Sequence, residues 1–163
     1  MIEIYPNLYL GNEYDYESIQ GNPDWWIVHA CREPHHREAL GYSGHLPPEG
    51  HPEYLVARRG NEIMLNLMDV CDPGDIPKEA VDAALEFIHE GLGGGHRVLV
   101  HCSYGCSRSP VIALIYLARY TDVLPKEHFP RAEARFRLIY PPYSPNRGMR
   151  EFLKLHWEEY TAP

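Results

Sequence analysis

Residues 97–110 read RVLVHCSYGCSRSP, and the fold turns on how they are understood. Val98 to Val100 continue an apolar run typical of a buried strand, and from Pro110 the run PVIALIYLARY is apolar almost all round, the pattern of a central, buried helix. Between them lies a short Ser/Gly loop carrying two cysteines. A strand that ends in such a turn and continues into a helix is a ready anion site. The helix start leaves N–H groups unpaired, and successive turn amides can point inward as a nest. Gly105 permits the curvature, and Pro110 in the first helical turn forfeits no N–H that the helix needs. Taken alone, these residues allow a metal site, a redox pair or the cradle of a nucleophile.

Arg108 separates the three. One loop turn is enough to bring its guanidinium back over the sulfur of Cys102. A thiol at a helix N-terminus beside a cation ionises more readily than a free one, which makes Cys102 the expected nucleophile. The planar fork of Arg108 suits two oxygens of a phosphate. Ser109 is expected to hydrogen-bond the sulfur and steady it as a leaving group, while Ser103, Tyr104, Gly105, Cys106, Ser107 and Arg108 line the bound phosphate.

Working outward, IEIYPNLYLGN alternates like a half-buried strand pair, and Trp25 to Ala30 is a short buried strand. Residues Arg32 to Glu53 form an irregular Pro/Gly/His loop. YLVARRGNEIMLNLMD is expected to be a hairpin turning at Arg59–Asn61, its second strand running to Asp69. A helix begins after Pro77, with Val81, Ala84, Leu85, Ile88 and Leu92 on its buried face, and stops at Gly93–Gly95. Two more helices follow, one burying Phe129, Ala132, Phe136 and Ile139, the other Met149, Phe152, His156 and Tyr160. The expected architecture is one α/β domain over 1–163, a mostly parallel sheet of about five strands flanked by helices.

The chain has 163 residues and a formal net charge of −8, a balance that on average repels nucleic acid and anionic membranes. Arg131, Arg135 and Arg137 are read as a solvated helix face. No apolar run is long enough for a membrane span, and the N-terminus lacks a signal-like pattern, so a cytoplasmic protein is expected, with its thiols reduced. His35, His36, His45 and His51 cluster in the Pro/Gly loop without regular ligand spacing and are read as loop residues. No metal or cofactor is expected.

HCSYGCSRSP resembles the phosphate-binding signature of the cysteine-dependent protein tyrosine phosphatases, H-C-x5-R-S/T, and its Gly and Ser-Pro most resemble the dual-specificity branch. The resemblance continues in IYPNLYLGN, WWIVHACRE and SPNRGMREFLKL. It implies that family's fold, a shallow cleft, and metal-independent hydrolysis of phosphotyrosine, with phosphoserine and phosphothreonine as further options, on a phosphorylated protein or peptide. His101 heads the signature as a supporting residue. By the same resemblance Asn146 braces the phosphate loop; read from its neighbours alone, it is an N-cap of the last helix.

The reaction needs a carboxyl group that first donates a proton and later accepts one. Asp69, Asp72 and Asp75 are the candidates. Asp69 is favoured because it is expected to end a strand at the C-terminal sheet edge, where ligand sites of open α/β sheets gather and where the family places its acid. Asp72 and Asp75 suit turn and cap roles around Pro73–Gly74 and Pro77. Cys106 and Cys71 are either small loop residues or partners that trap Cys102 as a reversible disulfide; Cys31 is read as core. Three other functions compete: an RNA 5′-phosphatase or phosphoinositide phosphatase with the same mechanism, a non-catalytic phospho-binding module, and a rhodanese-like transferase. The neutral residues from Ser103 to Ser107 favour a singly phosphorylated substrate.

Overall fold

The computed structural model describes residues 1–163. Six strands form one sheet in the order β1-β2-β6-β3-β5-β4, with β1 at Ile2–Tyr5, β2 at Leu8–Gly11, β3 at Trp25–His29, β4 at Val56–Arg59, β5 at Glu62–Leu65 and β6 at Arg97–His101. The four central strands run parallel, and the edge strands β1 and β4 pair antiparallel with β2 and β5. The count exceeds the expected five because both arms of the opening pair and of the hairpin join the same sheet.

In β6, Val98, Leu99 and Val100 are fully buried, as a strand covered on both faces requires. Alternation sends them to different cores. Val98, Val100 and then Cys102 join the large cluster under the long helices, whereas Leu99 packs with Trp25, Ile27 and Tyr16 on the other face. Helix α1, Glu13–Glu17, covers that second face. It is absent from the expected elements, although Asn12 and Asp15 form a capping box that marks its start.

Helix α2, Arg37–Leu40, is a short turn within the loop expected to be wholly irregular; Arg37 ties back to Glu33 by an i,i+4 ion pair that the density of Pro and His obscures. Helix α3, Lys78–Gly93, buries Val81, Ala84, Leu85 and Ile88, with Leu92 at the margin. Helix α4, Arg108–Tyr120, is buried at every position from Arg108 to Ala118, which places it at the centre of the helical layer. Helices α5, Phe129–Ile139, and α6, Arg147–Thr161, bury Phe129, Ala132, Phe136, Met149, Phe152 and Tyr160, leaving Ile139 and His156 half-buried. Arg131, Arg135 and Arg137 are exposed, as a solvated face requires.

One boundary differs in a way that matters. β5 ends at Leu65, not at Asp69. Beyond Leu65 the regular ladder gives way to single backbone bonds, Asn66 N to Leu55 O and Arg32 N to Leu67 O, and to side-chain contacts in which the Asn66 amide donates to Tyr54 O and accepts from Arg32 Nε. Residues 66–70 therefore leave the sheet as an irregular segment.

Candidate active site

The loop from Cys102 to Ser107 joins the end of β6 to α4. Its carbonyls are turned outward and held by the surrounding elements. Ser103 O accepts from Glu13 N, Cys106 O accepts from Ser144 N at 2.8 Å, and Gly105 O accepts from Tyr140 Oη at 2.7 Å. None of the amides of Ser103 to Ser107 reaches a protein acceptor, which leaves successive donors of the turn available to an anion. Gly105 sits at φ +70°, and a Cβ there would lie 2.7 Å from Gly11 O, so both its backbone conformation and its packing against β2 call for glycine.

Cys102 is 2% exposed, and its Sγ lies 3.2 Å from Ser109 Oγ. Arg108 is buried under the loop: Nη1 donates to Leu67 O and Nη2 to Ser103 Oγ, while Nε is buried with no partner. A buried donor left unmade is costly unless something accepts from it, and an oxyanion held in the turn would. Ser103, Gly105, Ser107, Arg108 and Ser109 thus all belong to one cradle around Cys102. Tyr104 points away, 85% exposed at its rim, and Cys106 is half-buried, its thiol pushed up by burial.

The irregular segment after β5 brings Asp69 to this loop despite the strand's early end. Asn146 N donates to Ser107 Oγ at 3.0 Å, and Ser107 Oγ donates to Asp69 Oδ1 at 2.8 Å. Asp72 is committed elsewhere, its carboxylate accepting from Gly74 N as the cap of a short turn. The Asn146 side chain caps α6 through Met149 N, the role read from its neighbours, and its contact with the loop is made by the backbone N–H, which does not depend on the side chain. Gly148, in the first turn of α6, would drive a Cβ into Val70 O, so the helix start packs directly against the Asp69 segment.

Several supporting residues carry no mark in the sequence. Tyr140 and Ser144 lie in the connection between α5 and α6. Glu133, 5% exposed, holds that stretch in place by accepting from Tyr143 Oη and, through both oxygens, from Arg150. Burial alone would raise its carboxyl, but the Arg150 and Tyr143 hydrogen bonds outweigh it and hold the group below the usual carboxylate range.

On the opposite face of β6, His101 is fully buried. Its Nε2 lies 2.7 Å from Nδ1 of His29, and Nε2 of His29 lies 2.9 Å from Glu62 Oε2. The Tyr16 ring stacks on His101, and His35 stacks on His29 at 4.0 Å between centroids. Burial lowers the pKa of both His29 and His101. Of the loop histidines, His36 is structural, bonded to Tyr42 Oη and Glu53 O, whereas His35 reaches this rear cluster. All four cysteines are free thiols; Cys31 is buried as expected, its thiol pushed up to about 12 by burial, and Cys71 is exposed.

No family model matches the chain. Among curated proteins it is 28% identical over 158 residues to human dual specificity protein phosphatase 12, covering 96% of this chain and 41% of that one. It is 30% identical over 156 residues to bovine dual specificity protein phosphatase 26, covering 94% of this chain and 65% of the relative. The chain thus spans less than two thirds of each relative's length. The crystal structure of human DUSP28 superposes with a TM-score of 0.67 at 19% identity, over 99% of this chain and 95% of that one. A human tyrosine phosphatase-like serine/threonine/tyrosine-interacting protein superposes at 0.63 and 20% identity, over 98% and 97%. With similarity running along nearly the whole chain and the H-C-x5-R loop built as described, the protein belongs to the dual-specificity branch of the cysteine-dependent protein tyrosine phosphatases.

Proposed function

We propose that the chain is a protein phosphatase that hydrolyses phosphotyrosine, and phosphoserine or phosphothreonine as well, through a phosphocysteine on Cys102. The observation that carries this reading is the buried Nε of Arg108, unpaired although the same guanidinium reaches Ser103 Oγ in a loop whose amides have no protein acceptor. The thiolate of Cys102 attacks phosphorus as the P–O bond to the leaving group breaks, and Asp69 gives its proton to the departing oxygen. Arg108 and the loop amides hold the three equatorial oxygens, where charge spreads in the transition state. Water then attacks the phosphocysteine, Asp69 takes its proton, the S–P bond breaks and inorganic phosphate leaves. Ser109 supports the returning thiolate by a hydrogen bond. The Asn146–Ser107–Asp69 chain occupies one carboxyl oxygen and leaves the other for proton transfer.

Arg108 is the only Lys, Arg, Asp or Glu between His101 and Pro110, which supports a singly phosphorylated substrate, a phosphorylated protein or peptide. The test sets phosphotyrosine peptide, phosphothreonine peptide, triphosphorylated RNA and an inositol lipid side by side, with Cys102→Ser as the blank. Phosphopeptide turnover that vanishes in Cys102→Ser is expected. Faster turnover of the RNA or the lipid would replace the protein-substrate reading, and no turnover of any aryl phosphate would leave only phosphate binding. Asp69→Asn should slow a substrate with a poor leaving group by about 10²–10⁴-fold and a good one far less.

A further inference from the structure

Behind Cys102, on the face of β6 that carries His101, four side chains from distant parts of the sequence converge. They are Glu13 at the start of α1, Cys31 just beyond β3, His35 in the turn before α2, and His101 at the end of β6. One ligating atom from each lies within 4.8 Å of the other three. One set of neutral tautomers meets the hydrogen bonds around them. A neutral His29 has one N–H, and Glu62 accepts it at Nε2; His29 Nδ1 is then an acceptor, so His101 must donate to it from Nε2. That leaves the Nδ1 of His101 as a fully buried lone pair with no hydrogen-bond partner, 3.5 Å from a carboxylate oxygen of Glu13. Two acceptors facing each other in a buried site repel, and a cation between them removes the conflict.

We propose that Glu13, Cys31, His35 and His101 bind a Zn²⁺ ion, a site outside the phosphate cradle and independent of the phosphatase reading. Two imidazoles, a thiolate and a carboxylate form a donor set for a borderline-soft ion; calcium and magnesium take oxygen ligands instead. Tetrahedral bonds of about 2.0–2.3 Å put ligand atoms about 3.3–3.7 Å apart, so the cluster needs to close by only about 1 Å. The charges also balance, since Glu13 and an ionised Cys31 match the ion. Binding replaces the S–H bond of Cys31 by a Zn–S bond and releases that proton to solvent. His35, whose Nε2 lies 2.8 Å from Glu13, moves its ring proton to Nδ1 and presents the Nε2 lone pair to the metal.

The surroundings have the form that metal sites require. A metal-bound histidine usually gives its other N–H to a partner that orients it, and His101 gives its own to His29, itself anchored on Glu62. Tyr16 walls the inner side, stacking on His101 and meeting His29 and His35 edge-on. Glu13 remains 28% exposed and His35 10%, which provides an entry path. The ion would clamp α1 and the turn before α2 to the end of β6, one residue from Cys102.

Cobalt titration tests this without reference to activity. In the chain with Cys71, Cys102 and Cys106 replaced by serine, Cys31 is the only thiol. One equivalent of Co²⁺ should bind with a thiolate-to-metal charge-transfer band and the strong visible bands of a tetrahedral site, and Zn²⁺ should bleach both. Adding Cys31→Ser should remove the charge-transfer band, and His29→Asn, which disturbs only the orienting chain, should weaken binding by about 10–100-fold. No saturable band, or one that survives Cys31→Ser, would overturn the proposal. Should the triple-serine chain not fold, zinc retained after dialysis is measured on the otherwise unchanged protein. His35→Gln should lower it by one equivalent and His45→Gln should not; equal retention in both would overturn the assignment just as firmly.

Discussion

His101 and Cys102 are neighbours in sequence and belong to opposite sides of the sheet. Cys102 joins the helical core and opens into a turn whose donors are free; His101 points toward α1 into a cluster of histidines and carboxylates. The front is built from one contiguous stretch, Cys102 to Ser109, with Asp69 added from the segment after β5. The rear takes one or two side chains from each of α1, β3, the turn before α2, β5 and β6. A site made by a continuous loop inherits its geometry from local backbone. A site made by five segments exists only once the sheet register pairs His29 with His101. The two should therefore respond differently to substitution, the front in rate and the rear and its supports in stability.

The largest expected effect lies in the front. Arg108→Lys keeps the charge but loses the planar fork, and kcat/KM for an aryl phosphate should fall on the order of 10³-fold. Steady-state kinetics beside a thermal melt would show whether rate and stability separate. A loss below tenfold would mean that charge alone serves the phosphate and that the fork geometry is incidental.

The same contrast explains how much of each side is legible in the amino-acid sequence. RVLVH, the Ser/Gly turn and the apolar helix are legible because strand, loop and helix each carry their own period and lie end to end. Asp69 is expected from its nearness to a strand end, yet the strand stops at Leu65; the carboxylate reaches the loop because Ser107 and Asn146 hold it there. Helix α1 is hidden because its five residues are too few to show a hydrophobic face, and only the Asn12–Asp15 capping box marks it. Apart from His101, which heads the loop signature, the rear cluster has no signal in the sequence. Along the chain His35 groups with His36, His45 and His51, whereas parallel pairing and the packing of α1 put it beside His101 and Glu13.

Gly105→Ala tests where the two sides touch through β2. Placing a side chain at φ +70°, with its Cβ 2.7 Å from Gly11 O, should cost about 1–3 kcal/mol from backbone strain alone and misplace the loop amides. Rate and stability should fall together here, unlike at Arg108. An alanine variant with unchanged melting and kinetics would show that the loop tolerates a different backbone path.

Glu133→Gln probes a support remote from both sites. Removing the charge that Arg150 and Tyr143 satisfy should destabilise the protein by about 1–2 kcal/mol at pH 7, Arg150 being partly solvated. The sign of the pH dependence follows from linkage. The folded carboxyl sits below the usual glutamate value of 4.5, so its contribution is complete above that value and is lost as pH falls through the folded one. The gap between wild type and Glu133→Gln should thus be widest near neutrality and close in acid, which denaturant titrations at several pH values would show. A gap independent of pH would assign the loss to packing.

The smallest effect should come from Tyr104, which is in the loop and yet outside its framework. With 85% of its surface exposed, the ring has little protein contact to lose, so Tyr104→Ala should change stability by less than about 0.5 kcal/mol. Under the proposed function, the partner for a side chain at this rim is the residue that carries the phosphate. An aromatic side chain there favours an aromatic substrate face, a preference worth about 0.5–1.5 kcal/mol. KM for a phosphotyrosine peptide should therefore rise several-fold in the alanine variant, with kcat and inhibition by inorganic phosphate unchanged, because the cradle below is intact. A fall in kcat instead would place Tyr104 among the residues that shape the turn, and would extend the framework of the front to its exposed edge.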